Sequence, residues 1–461
     1  MFATGFVDGI EKRFARAARW ACVFMVMSVA LASVSAQDHP EQMHDINPNM
    51  PQPMRLSQEA VEDAGIRRYE SEHLVLYSDI ENAETIQEFM DVFEQAIPQW
   101  ASYFGVKDKK LEFWRISGFV MVDQDRFRRA GCTLPQMPRI ETGYNLGFHF
   151  WIVPQPGNYY TRHLLLHEGT HSFMQWFLGG SGPPWYSEGM AELLALHQWR
   201  DGKLTLGYQP RSANEVEYWG RPKAIRTARE KNKLLRLDQL FENTGFQFHD
   251  VEMYSWAWAA CNFLSTHPVA KKAFGKLFDD AADTSPRFSL AIKRALRSDW
   301  EDIERDWRLY LEELTYGSTG AHSGIDVAEM QPSKENQRIA SVAANKSWQS
   351  TGVQVQRGSS IIMSASGRFQ IAVDPEPVFS EAGGISVRYY EGHPLGKLMY
   401  AVLKSDGSVS NGFPVGLGGT INVEDDGYLL LRVNENPVEM NDNEGELQVE
   451  ISLDRSHEGK R

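Results

Sequence analysis

Cysteine is scarce, positive charge is in deficit, and long apolar runs are nearly missing. Of three cysteines among 461 residues, Cys22 falls inside an N-terminal apolar run, leaving Cys132 and Cys261. A disulfide-dense framework is therefore excluded. In an exported chain the two form at most one bridge. The alternative for Cys261, within YSWAWAACNFL, is a buried free thiol. Lys and Arg together number 47 against 61 Asp and Glu, a net charge of −14. A sequence-independent grip on phosphate backbones needs the opposite balance, so nucleic acid is not an expected partner. Only Trp20 to Ala32 forms a long apolar run, and it is short of the ~20 residues that span a bilayer. No internal repeat is evident.

That run carries meaning of its own. Lys12, Arg13, Arg16 and Arg19 precede it, and Val34-Ser35-Ala36 supplies a small-x-small cleavage pattern. Residues 1–36 read as a signal peptide, and the destination as secreted, periplasmic or otherwise extracytoplasmic. Membrane attachment follows only if the segment stays uncleaved. Residues 37–66, rich in Pro, Asn, Gln and Met, read as a disordered leader.

From 67 to 316 strand patterns come first and helices follow, which predicts an α+β domain. HLVLYSD (73–79), GFVMVDQ (118–124) and GFHFWIVP (147–154) read as strands, and Ala83 to Phe104 has helical apolar spacing. Residues 317–340 read as a linker. Beyond it, short alternating segments broken by Gly, Asp, Asn and Pro predict an all-β sandwich over 341–455.

The chemistry concentrates in LLLHEGTH (164–171). On a helix His167 and His171 stand at i and i+4, their Cβ atoms ~6 Å apart, able to hold one ion together. Glu168 lies on the adjacent flank, where it can take a proton from water. Five residues of this kind occur by chance, so a third ligand is required. Sixteen residues separate His171 from Glu188, enough for the first helix to end at Gly179 to Gly182 and a second, PPWYSEGMAELLALHQW, to return past the histidines. Glu188 completes a His2Glu set of the kind that holds catalytic zinc. Glu192, one turn on, is placed to accept the free N–H of a ligand histidine. His163 extends the histidine face and reads as a supporting or solvated residue. Tyr254 is either a core aromatic or an oxyanion hydrogen-bond donor.

HEGTH followed by WYSEGMAE resembles the gluzincin metallopeptidases, most closely their compact exported "peptidase MA-like" members. The resemblance covers 149–199 most strongly. It implies zinc on His167, His171 and Glu188, with Glu168 as the base. It also implies that Tyr254 sits where the clan places an oxyanion donor, and that the substrate is a peptide or protein. No aminopeptidase element for holding a substrate amino terminus is present. Residues 347–453, with RVNENPVEMNDNEGELQV, resemble the calcium-dependent galactose-binding bacterial lectins. That resemblance implies calcium on Glu435, Asp442, Asn443 and the Glu439 backbone oxygen, and carbohydrate as a partner. On composition alone the same loop reads as a polar turn at a sandwich edge. A non-catalytic carbohydrate- or protein-binding protein with a structural or vestigial metal site is the rival expectation.

Overall fold

The structure is a computed structural model, and it describes residues 53–242, 251–325 and 337–454. The signal-peptide segment lies outside the described residues, as do the first part of the leader and residues 326–336 of the linker. Among the described residues, no helix is long and apolar enough to cross a membrane.

Order begins before residue 67. Helix α1 (Gln58–Asp63) starts at Ser57, whose hydroxyl accepts from the Ala60 amide. Val61 and Ile66 are buried in one cluster with Phe119, Phe127, Cys132 and Trp151. The Met54 amide donates to His149 Nε2 at 3.2 Å. The end of the leader is thus docked, because Val61 on the helix and Ile66 just beyond it find a cluster to cover; the polar composition around them hid this.

The first sheet is mixed. Strands β1 (Arg67–Glu70), β2 (Leu74–Ser78), β3 (Ile116–Val120), β4 (Gly143–Leu146) and β5 (His149–Ile152) lie in the order β1-β2-β3-β5-β4. Strands β2, β3 and β5 are parallel, and β4 is an antiparallel edge strand on β5. Parallel pairing needs a crossover. The one from β2 to β3 is helix α2 (Ala83–Phe104), which Asn82 caps through the Glu84 and Thr85 amides and Gly105 ends in the left-handed conformation. The sheet therefore contains βαβ units, where strands followed by helices had been expected. Helix α3 (Gln124–Arg129) connects onward toward β4 and β5.

Helix α4 (Asn158–Phe177) carries the HEGTH motif and is buried along most of its length. A helix covered on all sides shows no polar stripe, which is why its sequence lacks clear amphipathic spacing. Gly169 is where it meets α2: a Cβ there would lie 2.7 Å from Trp100 Cη2 and 2.8 Å from Phe93 Cε2. Helix α5 (Pro184–Ala195) follows, then a hairpin of β6 (His197–Arg200) and β7 (Lys203–Leu206) within the stretch expected to be helical. Helices α6 (Arg221–Glu230), α7 (Leu237–Glu242), α8 (Val251–Thr266), α9 (Lys271–Phe274), α10 (Pro286–Ala295) and α11 (Trp300–Glu312) complete this part. At Gly189 of α5 a Cβ would stand 2.4 Å from the Ala257 carbonyl oxygen of α8. Gly189 thus permits helix-to-helix backbone contact, and Gly169 makes room for the aromatic rings of α2. Cys132 and Cys261 are separate buried thiols rather than a bridge.

The C-terminal part is β-sandwich-like, with strands β8 (Gln337–Ala343), β9 (Gln349–Val355), β10 (Ser360–Ser366), β11 (Arg368–Val373), β12 (Pro377–Glu381), β13 (Gly383–Tyr390), β14 (His393–Leu403), β15 (Phe413–Pro414), β16 (Gly418–Asn422), β17 (Gly427–Val433) and β18 (Glu446–Asp454). One sheet runs β16-β10-β18-β8 and the other β13-β14-β17-β9, with β15 on β14 and a separate β11-β12 pair. Inward-facing residues of both sheets, Ile361, Met363, Leu429, Leu431, Val449 and Ile451 among them, form one core. Period-2 burial along β10 and β18 follows from the pleat. Leu309 of α11 joins Trp348, Met399, Ala401 and Leu430 in an apolar contact between helices and sandwich, and Arg432 pairs with Glu313 beside it. The overall class is α+β.

Candidate metal centre

Three side chains converge between α4 and α5. His167 Nε2 lies 3.2 Å from His171 Nε2 and 3.2 Å from Glu188 Oε2, and His171 Nε2 is 3.4 Å from Glu188 Oε2. An ion bound tetrahedrally at ~2.0–2.1 Å needs ligand atoms ~3.3–3.4 Å apart. The triangle has that size. Glu188 Oε2 is buried and has no hydrogen-bond partner, which is costly for a carboxylate oxygen unless a cation satisfies it. These three residues form one of two His/Glu groups able to hold an ion among the described residues. The i, i+4 spacing supplies two candidate ligands from one helix face, and α5 returns antiparallel to supply the third candidate.

The second group, His163, His167 and Glu192, does different work. Glu192 already accepts two hydrogen bonds from Arg221, at 3.0 and 2.8 Å, and one from Trp219 Nε1 at 3.2 Å. A guanidinium in that place repels a second cation. Glu192 Oε1 instead stands 3.4 Å from His167 Nδ1, and its Oε2 stands 3.3 Å from His163 Nε2. His163 is fully buried and supports Glu192. The second ring nitrogen of His171 faces Ser187 Oγ at 3.3 Å. Both ligand histidines thus have an oxygen behind them that can set their tautomer.

Electrostatics follow from this burial. Desolvation opposes the charge on Glu188, yet His171 and His167 outweigh it and hold the carboxyl well below its usual range. Desolvation likewise pulls His167 down, but the carboxylates of Glu188, Glu192 and Glu168 close to it outweigh this and hold it at about 10. Glu168 moves the other way. It is buried, only 6% exposed; desolvation and the nearby Glu188 and Glu192 raise its carboxyl pKa, partly opposed by His167 and His171. Tyr254, on α8, has its ring centroid 6.2 Å from that of His167. The charge of Glu188, then burial, raises its hydroxyl pKa, so the hydroxyl keeps its proton and can donate.

Sequence reasoning brought forward His163, His167, Glu168, His171, Glu188, Glu192 and Tyr254, and the fold assembles all seven at one place. It missed Arg221, Trp219 and Ser187. Ser187 precedes the third ligand and had a readable position. Arg221 and Trp219 arrive from a separate loop and helix, with no spacing signal to join them to Glu192.

The acidic loop between β17 and β18 is arranged differently from the expected calcium set. Glu435 is buried and accepts a hydrogen bond from Asn443 Nδ2. Asn443 Oδ1 is buried without a partner. Asp442, however, is exposed, its Oδ2 accepting from the Val373 amide at 2.9 Å, and Glu439 pairs with Arg388. Glu435 and Asn443 come together, while the Asp442 carboxylate is engaged elsewhere; the Glu439 carboxylate paired with Arg388 is not the atom of the expected set, which used the Glu439 backbone oxygen. Burial, together with Glu439 and Asp442, outweighs the Asn443 hydrogen bond and Arg388 and pushes the Glu435 carboxyl up to about 7.

A stability prediction arises here. Because the folded-state value is raised from 4.5 to about 7, the native protein binds this proton more tightly than the unfolded chain. The stabilisation is full below about pH 4.5 and is lost as pH rises through about 7. The span corresponds to roughly 3 kcal/mol. In calcium-free buffer, melting temperatures of the wild type and Glu435→Gln compared from pH 4.5 to 8 are expected to diverge, the wild type falling relative to the variant. Parallel curves would show that Glu435 is not the group responsible.

A cavity of about 1110 Å³ lies elsewhere, between α11 and the sandwich, lined by Glu304, Arg308, Trp348, Lys404 and Arg432 among others. It contains none of the converging histidines. No family model matches the chain, and no curated protein matches it. Among solved structures it is similar to the EclA N-terminal domain, a PllA-like lectin, at 22% identity over 26% of this chain and 99% of that chain, with a TM-score of 0.21. The sandwich described above rests on its own strand pairing, since a likeness at that TM-score carries no weight.

Proposed function

We propose that this protein is an exported zinc-dependent peptidase that hydrolyses peptide bonds with water. The observation that carries the reading is the His167, His171 and Glu188 triangle, sized for one tetrahedral ion, with the Glu168 carboxylate beside it. Two imidazoles and one carboxylate are the donor set that suits zinc with an open fourth position. Bound there, zinc supplies Lewis acidity toward water and the scissile carbonyl.

The chain's own residues divide the remaining work. Glu168 accepts the proton of the attacking water and returns it to the leaving amine, and its raised pKa suits both duties. Tyr254 donates its hydroxyl hydrogen to the oxygen that gains negative charge. Glu192 and Ser187 orient the ligand imidazoles, and Arg221 keeps Glu192 charged and in place.

The direct test is metal analysis and cleavage together. Folded protein is expected to hold about one zinc per chain, and to cut a mixed peptide library in a manner lost on chelation and restored by zinc. Protein that carries no zinc after equilibration with it, or that cuts nothing when loaded, would remove this reading.

A second reading concerns the sandwich alone. The buried Glu435 carboxylate and the partnerless Asn443 Oδ1 are a pair that a calcium ion would satisfy, with carbohydrate hydroxyls as further ligands. Asp442 holds the Val373 amide through Oδ2 alone, which leaves its other oxygen for an ion. Calcium that abolishes the pH dependence of Glu435, with sugar-array binding lost on chelation, would support it; silence in both would leave the loop as a structural turn.

A further inference from the structure

We infer that edge strand β4 aims the base, with Gly143 as a positioning residue whose missing side chain is the space that the Glu168 carboxylate occupies. The inference rests on Glu168 being the base of the proposed peptidase.

Gly143 does not adopt a positive φ, so its backbone conformation is open to any residue. What forbids a larger one is the neighbour. A Cβ at Gly143 would lie 2.1 Å from Glu168 Oε1, 2.9 Å from its Cδ and 3.0 Å from its Cγ. All three distances fall well inside van der Waals contact, so strand or side chain must move. The strand is held on both sides. Its backbone pairs with β5 in the register Gly143 to Ile152 and Asn145 to Phe150. Two residues along, on the same face, Asn145 Nδ2 donates to the Glu168 carbonyl at 3.1 Å and to Ser172 Oγ at 2.6 Å. Asn145 therefore sets the gap between β4 and α4, and Gly143 leaves that gap empty for the carboxylate. With the gap fixed, relief of the clash falls on Glu168, whose carboxylate would swing away from the ligand triangle.

Burial makes such a swing consequential. Glu168 is almost wholly enclosed, so a displaced carboxylate finds little free volume, and any swing changes the place of its proton-accepting oxygen relative to the ligand triangle. A displacement of about 1 Å in a reacting group costs on the order of 100-fold in rate.

The test is a double-variant cycle on the full chain, zinc-loaded: wild type, Gly143→Ala, Glu168→Ala and the two together. Gly143→Ala is expected to retain about one zinc and to lower kcat on the order of 100-fold, with KM within about twofold, since substrate binding does not use the base. It is also expected to lower the melting temperature by a few degrees with Glu168 present, and by clearly less when Glu168→Ala has removed the carboxylate. If Gly143→Ala alone fails to fold, folding restored in the double variant carries the same meaning. Equal melting costs in both backgrounds, failure to fold in both, or a Gly143→Ala kcat equal to that of the wild type overturns the inference. The melting cycle does not depend on hydrolysis. A wild type that cuts nothing removes the peptidase reading, while the cycle still decides whether Gly143 makes room for Glu168.

Discussion

Glu168→Gln is expected to reduce peptide hydrolysis by about 10²–10⁴-fold while leaving zinc content at about one per chain. Glutamine keeps the volume that Gly143 leaves open and removes only the ability to accept a proton. Glu168 is not one of the three converging ligands, so its neutralisation leaves them in place. The nearby His167 and His171 favour its charge, and burial with Glu188 and Glu192 opposes it. The balance lifts the carboxyl above its ordinary value. The check is kcat/KM on a peptide that the wild type cuts, with metal measured on the same samples. Cleavage at the wild-type rate with zinc present would mean that another group is the base, and the mechanism would have to be abandoned.

Arg221→Leu is expected to be the most destabilising single change near the site. Arg221 is only 7% exposed and Glu192 only 2%, and their bidentate pair is the main support for a carboxylate enclosed among His163, His167 and Trp219. Removing the guanidinium leaves that charge buried, with Trp219 Nε1 and the imidazoles as its remaining partners. Breaking such a pair costs roughly 3–5 kcal/mol, a fall of about 10 °C in melting temperature. Zinc affinity is expected to fall about 10–100-fold as well, because Glu192 no longer steadies His167. Arg221→Leu combined with Glu192→Leu should recover much of the stability and none of the zinc affinity. Titration of zinc with a competing chelator, alongside thermal melts, separates the two effects. A single variant as stable as the wild type would show that the pair contributes little.

Much of the site was legible because its ligands are local. The helix period places His167 and His171 on one face regardless of what surrounds them, and one turn separates Glu188 from Glu192 on the next helix. Helix α2 was legible for the same reason: apolar residues recur at helical spacing from Ala83 to Phe104. Less could be read where partners are distant. Strand β4 and the βαβ crossovers depend on which strands pair, and pairing leaves little trace in a single chain. The β6-β7 hairpin was lost inside a helical stretch because each strand has only four residues. The docked end of the leader was hidden because polar composition outweighed two buried apolar positions.

By itself the sequence determined the chemistry available: two imidazoles at helical spacing with a carboxylate beside the first, two further carboxylates one turn apart on the next helix, and a C-terminal run of short strands with alternation in some of them. These are consequences of the period of a helix and of a pleat, which act over a few residues. Only the tertiary structure decided that Glu192 faces Arg221, that Gly143 and Gly169 are glycine for want of space, and that Asp442 bonds to the Val373 amide while Glu435 stays buried. Those outcomes depend on which distant atoms compete for the same volume and the same hydrogen bonds, and that competition exists only once the chain is packed.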